Sequence, residues 1–133
     1  MILSKNYHRA LEQVKELIKN KEDLNILDDS GNTYLTKISQ YGNIEIVKLL
    51  IKNGSDINYK ERLNSYATPI ENAIYLGHTE IVKILIENNA DLNIINRDGL
   101  NLKEIVKEKL NSSNDKKQNY EEILTILNSK LPN

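Results

Sequence analysis

A short internal repeat limits what this chain can fold into more than any other feature of its sequence. The triplet Asp-x-Asn begins at Asp23, Asp56 and Asp91, so successive copies are 33 and 35 residues apart. The residues before the triplet repeat as well, because residues 45–58 match residues 80–93 at most positions. A period of roughly 20–50 residues is typical of repeat proteins, in which each unit buries its hydrophobic face against its neighbours. The sequence therefore predicts a stack of similar units in one domain.

The segment that precedes each triplet has the hydrophobic spacing of an amphipathic helix. Val47, Leu50 and Ile51 stand at positions i, i+3 and i+4, with lysines on the opposite face, which favours a helix with one buried stripe. Residues 12–25 are a weaker copy with the same spacing. Gly54 follows the helix at a place where a left-handed residue commonly ends one. We therefore expect one such helix in every unit.

A second, shorter helix is predicted before each of these helices. Thr68 suits the N-cap position, Pro69 the first helical position, and Glu71 completes a capping box three residues after the cap. This helix is predicted to end at Gly77, and the preceding copy begins in the same way at Thr33. Each unit is thus predicted to be a helix-turn-helix without an extended sheet.

Taken together, these features resemble the ankyrin repeat. Residues 28–58 resemble one from end to end, and the second copy carries Thr68-Pro69-Ile70 and Gly77-His78. The resemblance implies an all-α fold, an α-solenoid of ankyrin-type helix-turn-helix repeats with about four units, two standard and two capping. It divides the single domain into an N-terminal cap with a shortened first helix (1–27), a repeat (28–60), a repeat with a longer finger loop (61–95) and a C-terminal cap (96–133).

Three departures from the family pattern carry expectations about the structure. The His of the family's Thr-Pro-Leu-His motif is replaced by Thr36 and Glu71, which implies looser turns. The finger loop between Tyr59 and Ala67 is two residues longer than the family's standard, which accounts for the spacing of 35 residues. In the C-terminal cap, the polar residues 111–119 are predicted to form a mobile loop.

Composition argues against several classes of function. The formal net charge is -1 and lysines alternate with acidic residues, so the chain lacks the basic stripe with which nucleic-acid binders neutralise phosphates. There are no cysteines, which excludes disulfides and thiolate metal sites. No apolar run approaches the ~18 residues that span a bilayer, and no ordinary secretory signal is present. We predict a protein that contacts neither nucleic acid nor membrane and is cytoplasmic, or is delivered into a host cell by a signal not visible in the sequence.

The candidate catalytic residues are better explained by structural roles. His78 stands in the turn between paired helices, where we expect it to cap the second helix, and His8 has no His or Cys partner for a metal site. The carboxylate pairs at 28–29 and 121–122 fall in a predicted turn and at a predicted helix start, where acidic residues are favourable. No Gly-rich phosphate loop and no nucleophile elbow is present. We therefore predict no enzymatic activity, no cofactor and no metal site.

The resemblance also implies where a partner binds, because ankyrin-type proteins use their finger tips and the inner face of the first helices. A shift of 33 residues places Tyr7 beneath Gln40 and His8 beneath Tyr41 on that face. The predicted partner-binding residues are Tyr7, His8, Lys37, Gln40, Tyr41, Arg62, Tyr66, Asn72, Tyr75, Leu76 and Arg97. We predict a monomeric interaction module or scaffold that binds a protein partner through its finger loops and concave helix face.

Tyrosine is prominent on this predicted face, to which four of the chain's seven tyrosines map. Tyr is enriched at interface hot spots, and Tyr41 and Tyr75 are the predicted anchors because the helix pattern has its apolar residues without them. The alternative is that Tyr is simply the chain's one type of aromatic residue. Phe and Trp are absent, and Tyr34, Tyr59 and Tyr120 map elsewhere.

A second class of function stays open, namely a structural subunit that docks into a larger assembly through its ends or outer face. Apolar residues exposed at the caps would favour it. Leu124 is one candidate, because it replaces the outward Lys48 and Lys83 of the earlier units. A deep pocket with convergent polar groups would instead favour a small-molecule or enzymatic role.

Overall fold

The computed structural model describes residues 3–63, 67–112 and 115–132, and these residues form seven α-helices. The helices are α1 Tyr7–Lys19, α2 Tyr34–Tyr41, α3 Ile44–Lys52, α4 Pro69–Tyr75, α5 Thr79–Glu87, α6 Leu102–Ser112 and α7 Lys117–Lys130. No strand is formed in these ranges, in which Ile95 and Asn101 make an isolated β-bridge. The predicted all-α fold of stacked helix pairs is confirmed.

The helices are arranged in two rows. α2, α4 and α6 pack side by side in one row, which we call the inner row, and α1, α3, α5 and α7 form the outer row. Within a unit, α2 packs against α3, α4 against α5 and α6 against α7. Each unit therefore contacts mainly its neighbours, as expected of a repeat stack.

The core lies between these layers and is made largely of aliphatic side chains. Val47, Leu50, Val82 and Leu85, which the helical spacing predicts to be buried, have no accessible surface. Burial of such side chains contributes roughly 1.5–3 kcal/mol each relative to leaving them in water. Packing between units is therefore the main stabilising contribution in a chain whose helices are individually too short to be stable in water.

The last helix of the inner row has a more polar surface than the helix before it. When α4 and α6 are aligned on the glutamate of their first turns, Lys103 and Lys107 stand where Ile70 and Ile74 are buried in α4. Lys103 is half-buried and Lys107 is exposed. A terminal unit has no further unit to pack against, so polar residues suit this end of the stack.

The turns that lack the family's His are closed by other side chains. The hydroxyl of Thr33 accepts the backbone N–H of Thr36 at 3.2 Å and lies 2.8 Å from the Thr36 hydroxyl. In α4, Glu71 is buried and accepts the Thr68 N–H at 3.2 Å, which completes the predicted capping box. Thr36 and Glu71 thus bond to the N-cap residues that start the helices, and the expectation of looser turns stays a prediction.

The Asp-x-Asn triplets link neighbouring units through their backbone. Asn25 Oδ1 accepts the N–H of Asp56 at 2.7 Å, and Asn58 Oδ1 accepts the N–H of Asp91 at 2.8 Å. Within each triplet, the aspartate carboxylate accepts the N–H of the asparagine two residues later, at 2.8, 3.0 and 2.9 Å along the chain. The repeated triplet thus closes a local turn with its Asp and reaches the next unit with its Asn.

This series of inter-unit hydrogen bonds ends at Asn93. Its side chain makes no hydrogen bond within the described residues. When α5 and α7 are aligned at Thr79 and Tyr120, the residue equivalent to Asp91 is Pro132. Proline has no backbone N–H, so the last unit cannot continue the series.

Three finger loops precede the inner-row helices. Each is closed by one backbone hydrogen bond, from Asp28 to Asn32 at 2.9 Å, from residue 61 to residue 67 at 3.0 Å, and from residue 96 to residue 100 at 2.9 Å. The second finger is therefore two residues longer than the other two, as predicted. The boundaries of the four predicted segments themselves stay a prediction.

The N-terminal cap differs from its predicted form. Asn6 accepts the N–H of Arg9 at 3.0 Å and starts α1, which packs against α3 in the outer row. At 13 residues α1 is longer than α3, which has nine. The predicted shortened first helix is wrong for the described residues, because the residues assigned to it form an additional first turn of the outer-row helix.

The predicted mobile loop at residues 111–119 is largely helical. α6 continues to Ser112 and α7 begins at Lys117, while residues 113–114 lie outside the described ranges. The Asn119 amide donates to the carbonyl of Gly77 at 2.8 Å. The start of α7 is thus held by the preceding unit, and this contact was not readable from the polarity of the segment.

Candidate functional site

The inner row carries most of the residues predicted to bind a partner. Its helices begin after Thr33, Thr68 and Asn101, whose side chains each accept a backbone N–H of the first turn. Counted from these three residues, three lines of equivalent side chains cross the helices: Lys37, Asn72 and Ile105; Gln40, Tyr75 and Glu108; and Tyr41, Leu76 and Lys109. The predicted residues of α2 and α4 thus occupy matching places on neighbouring helices.

The first of these lines does not offer an open surface. Asn72 is only 6% exposed, and its amide nitrogen is buried with no hydrogen-bond partner among the described residues. Lys37 is half-buried, with its ammonium 3.9 Å from the Asp28 carboxylate. The prediction that Asn72 is an accessible contact residue is wrong, because α4 has a helix packed on each side, α2 and α6.

Tyr75, in the second line, is held by the fold on several sides. Its hydroxyl oxygen accepts a hydrogen bond from the Asn96 amide at 3.0 Å, and its backbone carbonyl accepts one from the Tyr120 hydroxyl at 2.8 Å. The ammonium of Lys109 lies 5.6 Å from the centre of the ring, within cation–π range. The half-buried ring also packs against the core. The premise that the fold does not need Tyr75 is therefore wrong, because the C-terminal cap packs onto it.

The third line keeps the most accessible apolar side chain of the three. Leu76 is 39% exposed. Tyr41 is half-buried and packs against the core, so it too is less open than predicted. Gln40, beside it in α2, is also half-buried. We call Leu76, Tyr41 and Tyr75, the accessible or partly accessible apolar residues of the second and third lines, the inner-row patch.

Two lysines beside the inner-row patch were not among the predicted site residues. Lys109 lies over Tyr75, and the ammonium of Lys116 donates to the carbonyl of Leu76 at 2.5 Å. Lys109 could have been found from the repeat register, since it follows Tyr41 and Leu76 in the third line. Lys116 could not, because its place depends on how α7 packs against the end of α4.

The fingers place further predicted residues next to the inner row. Arg62 and Arg97 are exposed, as predicted for finger residues. Leu63 is 65% exposed at the second finger, and its backbone N–H donates to the carboxylate of Glu61. The predicted contact residue Tyr66 lies outside the described residues. The fingers thus present cationic side chains and one strongly exposed apolar side chain.

Tyr7 and His8 are not part of this surface. Both lie in the first turn of α1, and the Tyr7 hydroxyl donates to the carboxylate of Glu45 in the first turn of α3. This hydrogen bond raises the pKa of Tyr7. The two rings contact each other edge to face with centres 5.4 Å apart. The 33-residue shift placed both residues in the inner row, but the continuous helix α1 places them in the outer row.

His78 has a structural role that differs from the predicted one. It occupies the N-cap position of α5, but its side chain makes no cap hydrogen bond. Its Nε2 instead donates to the carbonyl of Gln40 at 3.0 Å. The ring lies so close to Gly42 that a Cβ there would come within 2.8 Å of it. His78 therefore links its turn to the helix end of the preceding unit. One unit later, Asn119 donates to the Gly77 carbonyl, and the Tyr75 carbonyl, which is equivalent to that of Gln40, accepts from Tyr120.

A shallow depression of about 360 Å³ lies beside these turns, lined by Gly42, Ile44, Gly77, His78, Thr79, Glu80, Ile81, Asn119 and Glu122. Its two carboxylates are bridged by Lys83, whose ammonium is 3.1 Å from Glu80 and 2.8 Å from Glu122. The hydrogen bond that Lys83 donates to Glu122 raises the pKa of Lys83. Lys83 is thus a link between α5 and α7, unlike the exposed Lys48 with which it was paired in the sequence.

Two kinds of feature are absent from the described ranges. No group of three or more His, Cys, Asp or Glu side chains in them could hold a metal ion. No helix in them is long and apolar enough to cross a membrane.

The first 96 residues, which contain helices α1 to α5, match a known protein family. A family model described as ankyrin repeats, in three copies, matches residues 1–96. No curated protein sequence matches the chain significantly. The matched region contains the Asp-x-Asn triplets and helices α1 to α5, while α6 and α7 follow it.

Proposed function

This chain belongs to the ankyrin repeat family, whose members are generally protein–protein interaction modules, and we propose that it binds a protein partner through its finger loops and the exposed face of its inner row. The observation that carries the proposal is the inner-row patch. Leu76 keeps 39% of its surface accessible at the centre of a row whose other apolar side chains are buried or half-buried.

The surroundings of Leu76 are those of an interface anchor. Interfaces gain most of their binding energy from a few apolar, aromatic or Arg side chains, surrounded by polar groups that exclude water. Tyr41 and Tyr75 supply partly accessible aromatic surface, and Arg62 and Arg97 supply exposed cations on neighbouring fingers. Tyr41 and Tyr75 are expected to contribute to binding with the edges that the core leaves free.

The C-terminal end of the stack gives little support to a subunit that docks through its ends, whereas the N-terminal cap exposes Ile26 at 41% and Leu27 at 49%. Leu124, which would have supported docking, is half-buried and packs against the core. Lys103 and Lys107 make the last inner-row helix polar where α4 is apolar. We propose a monomeric binding module without a catalytic step.

The experiment compares two apolar side chains of equal exposure in different rows. Leu76 in the inner row and Ile44 in the outer row are both 39% exposed. The immobilised parent chain would first capture partner proteins from its native lysate. The affinity of a captured protein would then be measured for the parent, for Leu76→Ala and for Ile44→Ala. We expect Leu76→Ala to weaken binding of the captured partner by about 2 kcal/mol, as at an interface hot spot, and Ile44→Ala to have little effect on binding. The opposite pattern would move the binding surface to the outer row and refute the proposal.

A further inference from the structure

Two lysine ammonium groups are held in place around the most exposed apolar residue of the inner row. Lys116 donates to the backbone carbonyl of Leu76 at 2.5 Å, and Lys109 lies 5.6 Å from the ring centre of Tyr75, the preceding residue. Both lysines are half-buried, so their stems are packed while their charged ends lie beside the inner-row patch. The patch therefore combines an accessible leucine with two cations of defined position.

Neither of these cations is neutralised by the fold. Within the described residues, no carboxylate lies within 4.0 Å of the Lys109 or Lys116 ammonium, whereas Lys37 and Lys83 both have such a partner. The acidic neighbours in the chain, Glu108 and Asp115, do not pair with them. The two positive charges at the patch are thus left for solvent or for a ligand.

A structural role accounts for part of this arrangement. A cation at the end of a helix satisfies a free carbonyl and interacts favourably with the helix dipole, and Lys116 does this for α4. An ammonium group has three N–H donors, so one carbonyl does not use its full capacity. Within the described residues, Lys109 bonds to no carbonyl, and its ammonium lies over the ring of Tyr75.

We propose that the partner segment bound at the inner-row patch is acidic, with an apolar side chain on Leu76 and at least one Asp or Glu carboxylate beside it that pairs with Lys109 and Lys116. The inference rests on the proposed function and names the chemistry of its partner. Charges at the rim of an interface contribute mainly to specificity and association rate. Pre-positioned cations lose little entropy on pairing, so they select carboxylates over neutral or basic residues.

The test selects ligands without assuming a partner. A displayed library of random heptapeptides would be panned against the parent chain, against Lys109→Glu/Lys116→Glu, and against Lys48→Glu/Lys52→Glu. The last pair changes the net charge equally at two exposed positions of α3. We expect the parent and the α3 variant to enrich peptides with Asp or Glu next to Leu, Ile or Phe, and the inner-row variant to lose this enrichment. The Kd of an enriched acidic peptide should rise about tenfold or more in the inner-row variant, because attraction at two charges becomes repulsion.

Two results would overturn the proposal: a parent chain that enriches no acidic consensus, or an acidic consensus that the inner-row variant retains. Because Lys116 bonds to the end of α4, Lys109→Glu alone is included, and circular dichroism checks that every variant is folded. Leu76→Ala separates the two proposals. If the parent enriches neutral or basic peptides and Leu76→Ala abolishes their binding, the inner-row surface stands and its preference for acidic partners fails.

Discussion

Replacing Asn58 with alanine tests whether the repeated triplet links the units. The side chain of Asn58 makes one inter-unit hydrogen bond, to the Asp91 N–H at 2.8 Å. A typical hydrogen bond contributes about 0.5–1.5 kcal/mol net to stability, and Asn58 is exposed, so water partly replaces the lost partner. We expect Asn58→Ala to lower the free energy of unfolding by a value in the lower half of that range.

The chain contains matched variants at the same position of the repeat. Asn25 makes two inter-unit bonds, accepting the Asp56 N–H at 2.7 Å and donating to the Gly54 carbonyl at 3.2 Å. Because Asn25 is also exposed, Asn25→Ala should cost about 1–2 kcal/mol, twice the lower half of the range for one bond. Asn93 makes no side-chain hydrogen bond within the described residues. Asn93→Ala is therefore expected to stay within about 0.5 kcal/mol of the parent, as most surface changes do.

Urea unfolding followed by circular dichroism measures all three variants under the same conditions. The order of destabilisation should be Asn25→Ala, then Asn58→Ala, then Asn93→Ala. Hydrogen exchange gives a local check, because the Asp91 amide should exchange faster in Asn58→Ala and be unchanged in Asn93→Ala. Equal losses of unfolding free energy in Asn58→Ala and Asn93→Ala would refute the reasoning. They would show that the asparagine side chain stabilises its own turn and not the contact with the neighbouring unit.

Three other predictions concern the core, the buried glutamate and the aromatic contact of the inner row. Leu50→Ala should cost about 2–4 kcal/mol and raise hydrogen exchange more in the two full repeats than in α7, whereas a uniform rise along the chain would contradict this. Burial raises the pKa of Glu71, against the opposing effects of the Thr68 hydrogen bond and Lys60, so the folded state keeps this proton to higher pH than the unfolded state. The free energy of unfolding of the parent minus that of Glu71→Gln should therefore be greatest below the ordinary glutamate pKa and should fall as the pH rises through it. A difference that stays constant in urea unfolding experiments from about pH 4 to pH 7 would contradict the effect of burial. Tyr75→Phe should lower the free energy of unfolding by about 0.5–1.5 kcal/mol, because the hydrogen bond with Asn96 is lost. Tyr75→Ala should lose more stability in thermal unfolding, and an unchanged Tm of Tyr75→Ala would mean that the ring is not part of the fold.

The predicted partner surface is only partly accessible, and this changes how its variants must be interpreted. Tyr75→Ala disturbs packing as well as the surface, so a loss of binding in it would not identify a contact. Leu76→Ala removes a side chain that is 39% exposed and makes a cleaner test. Lys48 is a sound control for the outer row, but Lys83 is not, because it joins Glu80 to Glu122.

Repeat period, helix pairs and turn positions were predictable because each depends on neighbouring residues along the chain. The spacing of Val47 and Leu50 requires a helix with one buried face wherever it occurs. The capping box of Thr68 and Glu71 marks a helix start within four residues. Such local signals have the same meaning in every unit, so the copies reinforce one another.

The errors lie where the repeat pattern is broken or where units meet. The repeat register predicts Tyr7 in the inner row, but the N-cap Asn6 starts a continuous helix that places Tyr7 in the outer row. Asn72 has a polar side chain, yet it is buried between two neighbouring helices. In both cases the outcome depends on which surfaces the adjacent unit covers, and a single repeat does not contain that information.

The sequence by itself determined the type of fold, the number of residues per unit, the buried stripes and the family to which the chain belongs. The tertiary structure alone decided which side chains of the inner row remain accessible, since residues of the last unit pack over Tyr75 and place Lys109 over its ring and Lys116 beside Leu76. The physical reason is that secondary structure follows short-range periodicity and capping, whereas exposure and charge environment are set by residues from other units, here up to 45 positions apart in the chain.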